Sequence, residues 1–244
     1  MGFIGLFYPW GLLLQAVAII HFVRRRPDTF WLWIILIGGG LGALCYIAVE
    51  MLPDLNLLRG SLNAFGRRRR IRELEAIVVE NPAIGNYEEL ADLYLDESNF
   101  ARARQLYDRV ISAGPDSLDA SYRRGLAALA MEDSAAALAD LERVVSKDPK
   151  YDFYRAIGLL GHAHSLAGHP ERADALFKSA TSISTLSETY YNYASFLAGQ
   201  QRTAEAREWA QSILAKKLTM PRYLRRRERP WFRKAEGLLK RLPR

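Results

Sequence analysis

Apolar positions are spread very unevenly along the chain. Residues 3–23, FIGLFYPWGLLLQAVAIIHFV, and residues 30–49, FWLWIILIGGGLGALCYIAV, contain no Asp, Glu, Lys or Arg. About 20 uncharged residues suffice for a helix to cross the hydrocarbon of a bilayer. The pattern therefore predicts two transmembrane helices joined by the basic link RRRPDT at 24–29. From residue 84 the pattern changes to one that repeats. Tyr87, Leu90, Ala91 and Tyr94 are followed by Ala103, Tyr107, Val110 and Pro115, and Gly125, Ala128, Ala137, Leu141, Val144 and Pro149 stand at matching offsets. Leu160, Gly161, His164, Gly168, Ala173, Phe177 and Ala180 make a third unit, and Tyr190, Tyr193, Ala194, Leu197, Ala206, Ala210 and Ile213 a fourth. The small-residue position falls at 91, 125, 161 and 194, giving spacings of 34, 36 and 33. A near-fixed period of this size predicts stacked helical hairpins.

Packing explains the pattern. Small residues such as Ala91, Gly125 and Ala194 let the two helices of a unit approach closely, while Tyr107, Leu141 and Phe177 fill the space to the next unit. Pro115 and Pro149 are expected to end the second helices of their units, because proline lacks a donor and disfavours helix in the residue before it. Pro82 lies 33 residues before Pro115, so residues 68–80 read as a lone second helix that caps the stack. Residues 230–242, PWFRKAEGLLKRL, read as an amphipathic helix with Pro230 in its first turn and Trp231, Ala235, Leu238, Leu239 and Leu242 on its apolar face.

These four units resemble the tetratricopeptide repeat over residues 84–217. The expected fold class is then all-α: a transmembrane helical hairpin (1–55), a basic linker and capping half-repeat (56–83), an α-solenoid of about four repeats (84–217) and a basic capping helix (218–244). Two positions depart from the family pattern. Arg124 stands where the family usually has Leu, and Ala210 where a large residue is expected, with Trp209 beside it to compensate. The resemblance implies a concave groove lined by the first helices, into which a partner protein or peptide fits. Carried over residue by residue, that groove would present Glu88, Asp92, Asp96, Asp119, Tyr122, Arg155, His162, Glu188 and Tyr191. The acidic run Glu88, Glu89, Asp92, Asp96 suggests a basic or amphipathic partner segment. The second apolar run, with Trp33, Gly42 and Tyr46 after a basic link, resembles the N-terminal region of phospholipase D and cardiolipin-synthase-type enzymes. Those enzymes carry His-x-Lys pairs; here His21, His162, His164 and His169 are followed two places on by Val23, His164, Leu166 and Glu171, so that catalytic signature is absent.

Charge is distributed by segment. Residues 1–70 carry eight Lys/Arg against three Asp/Glu, residues 71–215 carry 14 against 22, and residues 216–244 carry 12 against two, so the net runs +5, −8, +10. An acidic repeat region argues against a nucleic-acid-binding core. The basic ends, Arg67, Arg68, Arg69 and Arg70 and then Arg225, Arg226 and Arg227, suit anionic lipid headgroups. Arginines after the second apolar run outnumber those in the link six to three, which predicts an inner-membrane protein with its repeats in the cytoplasm. No positive n-region or small-residue cleavage site marks the first run as a signal peptide. Gly38-x-x-x-Gly42 and Gly39-x-x-x-Ala43 suggest close helix packing. The single Cys45 leaves no intrachain disulfide. His162 and His164, two apart on a helix, do not face each other, and no nucleophile, phosphate-loop or metal-ligand spacing is present. The expectation is a scaffold with no catalytic residue, cofactor or metal. Its rivals are an accessory of a lipid-modifying system and a cell-envelope assembly factor with the repeats outside the cytoplasm.

Overall fold

A computed structural model describes residues 4–25, 29–51, 56–114 and 116–243. Among them every regular element is helical, and the chain divides into two compact units, Met1–Arg70 and Ile71–Arg244.

The first unit contains α1 (Ile4–Arg25), α2 (Phe30–Ile37), α3 (Gly39–Tyr46) and a π-helical turn over Ile47–Met51. Among the described residues no helix is long and apolar enough to cross a membrane. The second apolar run, expected as one continuous helix, is broken at the glycine triplet: Gly39 takes φ +57°, a conformation that carries no Cβ penalty for glycine. The bend folds α3 back, and an added Cβ on Gly42 would stand 1.9 Å from the Ile34 carbonyl oxygen. The glycines therefore serve this bend and the approach of Gly40 to Gly11, where a Cβ on Gly40 would lie 3.1 Å from the Gly11 Cα, in place of the Gly38/Gly42 helix-packing motif expected from spacing. Gln15 donates to the Ile35 carbonyl (2.9 Å), one of the last-turn acceptors of α2 that a helix end leaves unpaired. Tyr46 is fully buried between Trp31 and His21, its hydroxyl 2.9 Å from His21 Nδ1. The link residues 26–28 lie outside the described residues.

After α4 (Asn56–Glu80) come four hairpins: α5 (Ile84–Asp96) with α6 (Phe100–Ala113), α7 (Leu118–Ala130) with α8 (Ser134–Lys147), α9 (Arg155–Leu166) with α10 (Pro170–Ile183), and α11 (Ser187–Gly199) with α12 (Thr203–Thr219). The same turn closes each hairpin. Ser98, Glu132, Gly168 and Gln201 all take positive φ, and each lies seven residues after the small-residue position of its unit. The following N–H reaches back to the last turn of the first helix: Asn99 to Tyr94 (2.8 Å), Asp133 to Ala128 (3.0 Å), His169 to His164 (2.9 Å) and Arg202 to Leu197 (2.9 Å). This is the Schellman arrangement, which satisfies carbonyls that a helix end would otherwise leave open. Asn99 and Asp133 then cap the second helices, accepting from the N–H groups of Arg102 and Ala136.

The core follows the repeat pattern, with Ala91, Ala103, Tyr107, Ala128, Ala137, Leu141, Ala173, Phe177, Ala194 and Ala206 all inaccessible to solvent. The C-terminal part of α4 packs Ile71, Leu74 and Val78 on Leu90, Leu93, Tyr94 and Leu106, so it covers the open end of the first hairpin. Pro115 lies outside the described residues. At the other end α13 (Arg222–Arg241) begins eight residues before Pro230, which therefore sits inside the helix instead of opening it. Phe232, Ala235, Leu238 and Leu242 are its buried face; Trp231, expected there, is half-buried against Tyr191 with ring centres 5.8 Å apart. Trp209 makes good the small Ala210, its ring 4.8 Å from Tyr190 and 5.4 Å from Tyr193.

His164 is 3% exposed, and its Nδ1 lies 3.2 Å from Nδ1 of His169, a contact across the turn that sequence spacing does not show. Burial holds both His162 and His164 below the usual histidine value of 6.5. The unfolded chain thus binds protons that the folded one excludes. This contribution to stability is complete above pH 6.5 and is lost as pH falls toward the lowered folded values. Thermal melts at pH 7.5 and 5.5 are expected to show the loss, and a His162→Gln, His164→Gln variant is expected to flatten it.

Candidate functional site

The first helices α5, α7, α9 and α11 carry two sets of bonded side chains, which meet where the Tyr122 and Tyr151 rings touch. Asp92 on α5 accepts from Tyr107 (2.5 Å) and pairs with Arg123 on α7 (3.1 Å). Arg123 also bonds Asp119 one turn back (2.6 Å), and Asp119 accepts from Tyr151 (2.7 Å). Tyr122 donates to Asp152 (2.6 Å) and receives Arg155 Nη1 (3.2 Å). Arg155 forks onto Glu188 of α11 through Nε and Nη2. Burial first, and then donation to Asp152, pushes the Tyr122 hydroxyl far above its ordinary value, so it remains a neutral donor.

The connection from α8 to α9 shapes the middle of this surface. It accounts for the 36-residue spacing, and it holds Asp152, Phe153 and Tyr154 at φ 48°, 53° and 67°. Three successive non-glycine residues in the left-handed region cost roughly 1–2 kcal/mol each. The bonds from Tyr151 to Asp119 and from Asp152 to Tyr122 and Arg155 hold the turn in place, while the Phe153 ring is left 85% exposed. Between this turn, α5, α7 and the start of α9 lies a concavity of about 340 Å³ lined by Leu95, Asp119, Tyr122, Arg123, Leu126, Tyr151, Asp152 and Arg155. Its charges are two Asp and two Arg, all engaged with one another, and its apolar walls are Leu95, Leu126 and the Tyr122 and Tyr151 rings, 4.9 Å apart.

Of the groove residues expected from sequence, Asp92 and Asp119 thus enter one bonded set and Tyr122, Arg155 and Glu188 the other. Glu88 is half-buried and Asp96 exposed on α5, and neither enters the bonds just described. His162 is half-buried within the electrostatic reach of Glu188 and Lys234. Tyr191 lies under α13, with Lys234 Nζ 5.4 Å from its ring centre. Sequence reasoning missed Arg123, Tyr151 and Asp152. Arg123, one helical turn after Asp119, was the available signal; the two loop residues had none beyond the longer spacing. Arg123 and Arg155 pair with Asp92, Asp119, Asp152 and Glu188, so this surface keeps an excess of carboxylates although each of the four is bonded to an arginine. Of the expected basic residues, Arg68, Arg69 and Arg70 are exposed and Arg67 half-buried on α4, and Arg225, Arg226 and Arg227 are exposed on α13.

Comparison with known proteins bears on the fold of the repeat unit. A tetratricopeptide repeat family model matches residues 88–152. The repeat unit has the tetratricopeptide fold. Similar solved structures include MamA of Desulfovibrio magneticus RS-1 (20% identity, TM-score 0.53, 66% of this chain and 89% of that one). Another is YrrB, described as a tetratricopeptide protein with an unusual peptide-binding site (19%, 0.52, 65% and 81%). A third is a thermophilic tetratricopeptide protein of Thermus thermophilus (18%, 0.55, 75% and 96%). No curated protein matches the sequence, and nothing in these comparisons supports the likeness of the N-terminal segment to phospholipase D-type enzymes.

Proposed function

We propose that this chain is a scaffold that binds an amphipathic segment of a partner protein along its first helices, with one apolar side chain of that segment entering the concavity between Leu95, Leu126, Tyr122 and Tyr151. The concavity carries the reading: its apolar walls sit among polar groups already held in place by their own bonds, so little ordering is needed when a ligand arrives. The peptide-binding site described for YrrB supports it. The groove of Glu88, Asp92, Asp96, Asp119, Tyr122, Arg155, His162, Glu188 and Tyr191 is the proposed contact surface. A photoreactive residue at Tyr151 is expected to cross-link a partner in cells, and the same residue at Lys178, exposed on the second helix α10, is not. Equal yields at the two positions would remove the groove from the account.

A second reading concerns the first unit, which leaves Leu12, Leu13, Ile20, Val23, Phe30, Trp33, Leu36, Ile37, Leu41 and Leu44 exposed, Ile37 by 81% and Leu41 by 78%. Exposed apolar surface on this scale marks a membrane or protein contact. The unit is proposed to seat the chain in the inner membrane, with the repeats on the cytoplasmic side as the arginine distribution favours. A wild-type chain that alkaline carbonate releases from membranes would refute the seating, and a periplasmic reporter signal after Arg244 would reverse the side. No observation favours an accessory role in lipid modification.

A further inference from the structure

The cap α13 does more than close the stack. Its buried face, Phe232, Ala235, Leu238 and Leu242, meets the last hairpin, and one flank is occupied by Trp231 and Lys234 against Tyr191. The other flank forms a second concavity, of about 380 Å³, between α12 and α13. Its lining is Lys217 from the last turns of α12 with Arg225, Arg226, Arg229, Phe232, Arg233 and Glu236 of α13. Arg225, Arg229 and Arg233 recur every four residues, so they form one stripe along the helix. Lys217, Arg225, Arg229 and Arg233 thus flank the hollow with one lining carboxylate, Glu236, which lies 3.8 Å from Lys217. Phe232 makes the floor, 3% exposed, with Lys217 Nζ 5.8 Å from its ring centre.

Like charges gathered around a hollow repel one another, and an anion placed among them relieves that repulsion. Guanidinium forks match the paired oxygens of a phosphate group in geometry as well as charge. We infer that this hollow is a binding site for a phosphate-bearing anion, held by Arg225, Arg229, Arg233 and Lys217 over the Phe232 ring. The site is separate from the proposed partner groove and stands or falls without it. Phosphate of this kind comes from two sources, a soluble phosphate compound or an anionic lipid headgroup. Leu218 and Tyr223, 86% and 72% exposed on either side of the α12–α13 connection, are apolar side chains of the type a lipid surface would take up.

The test uses the full chain in detergent and in vesicles. Pyrophosphate is titrated by calorimetry, and binding to phosphatidylglycerol vesicles is compared with binding to phosphatidylcholine vesicles. Each is repeated for Arg229→Glu with Arg233→Glu and separately for Lys217→Met. All three side chains reach solvent, so an unchanged melting temperature is expected and shows that the variants fold. The inference requires at least a tenfold loss, in the double variant, of either pyrophosphate affinity or the preference for phosphatidylglycerol, with a smaller loss in Lys217→Met. Loss of the pyrophosphate signal assigns the site to soluble phosphates, and loss confined to vesicles assigns it to headgroups. If neither probe binds in a way that depends on Arg229 and Arg233, the site does not exist.

Discussion

Replacing Arg124 by Leu, the residue the repeat pattern would place there, is expected to destabilise the repeat unit by about 3–5 kcal/mol, the range for removing one partner of a buried ion pair. Arg124 bonds both oxygens of Asp140 (2.9 and 2.6 Å) and also reaches Asp108 (2.6 Å). Asp140 is 3% exposed and packs beside Gly125, where an added Cβ would lie 3.3 Å from its own Cβ. Without the guanidinium, a carboxylate stays buried on the seam between α7 and α8 with no cation. Leu at 124 would match the tetratricopeptide pattern and still cost stability, because Asp140 is what Arg124 answers to. Urea melts should therefore show the loss in Arg124→Leu and its recovery in large part when Asp140→Ala is added, since removing both partners is far less costly than removing one. A melt unchanged by Arg124→Leu would show that the pair contributes nothing net.

Phe177→Ala is expected to cost a similar amount, about 3–5 kcal/mol, the range for emptying a buried aromatic site. The ring is inaccessible, stacks on Tyr193 at 5.2 Å and meets Phe196 at 5.7 Å. It fills the space left by Gly161, where a Cβ would come within 3.2 Å of the ring. Glycine at 161 and Phe at 177 thus form one packing unit joining the third hairpin to the fourth. The cavity has little means of collapse, because the surrounding residues are helix backbone and other rings. The expected readout is a lower urea midpoint with an unchanged slope; a shift smaller than that of a surface substitution would contradict this packing.

The repeat unit was largely legible because its cause is periodic. A small residue must recur wherever two helices touch, and 91, 125, 161 and 194 do so. The hairpin turns repeat as well, but less visibly: only Gly168 advertises a left-handed position, while Ser98, Glu132 and Gln201 hold the same conformation with residues that give no warning. The network residues Arg123, Tyr151 and Asp152 were missed because pairing across helices depends on side-chain reach, which spacing does not encode. The glycine triplet does pack closely, through Gly40 on Gly11, but its bend at Gly39 was not legible, because spacing does not show which φ a glycine takes. Likewise Pro230 suggested a helix start, whereas α13 tolerates it in its interior, where the buried anchors Phe232 and Ala235 follow within five residues.

The surface between Leu95, Tyr122, Leu126 and Tyr151 is proposed to take a side chain of a partner segment. The most direct measurement is selection of peptides from a random display library on the immobilised full chain, followed by affinity measurement on wild type and Tyr151→Ala. The account predicts enriched peptides sharing one apolar or aromatic position flanked by polar residues, with affinity about tenfold weaker on Tyr151→Ala, the loss typical of a residue at an interface centre. Enriched peptides that bind Tyr151→Ala as tightly as wild type would contradict it.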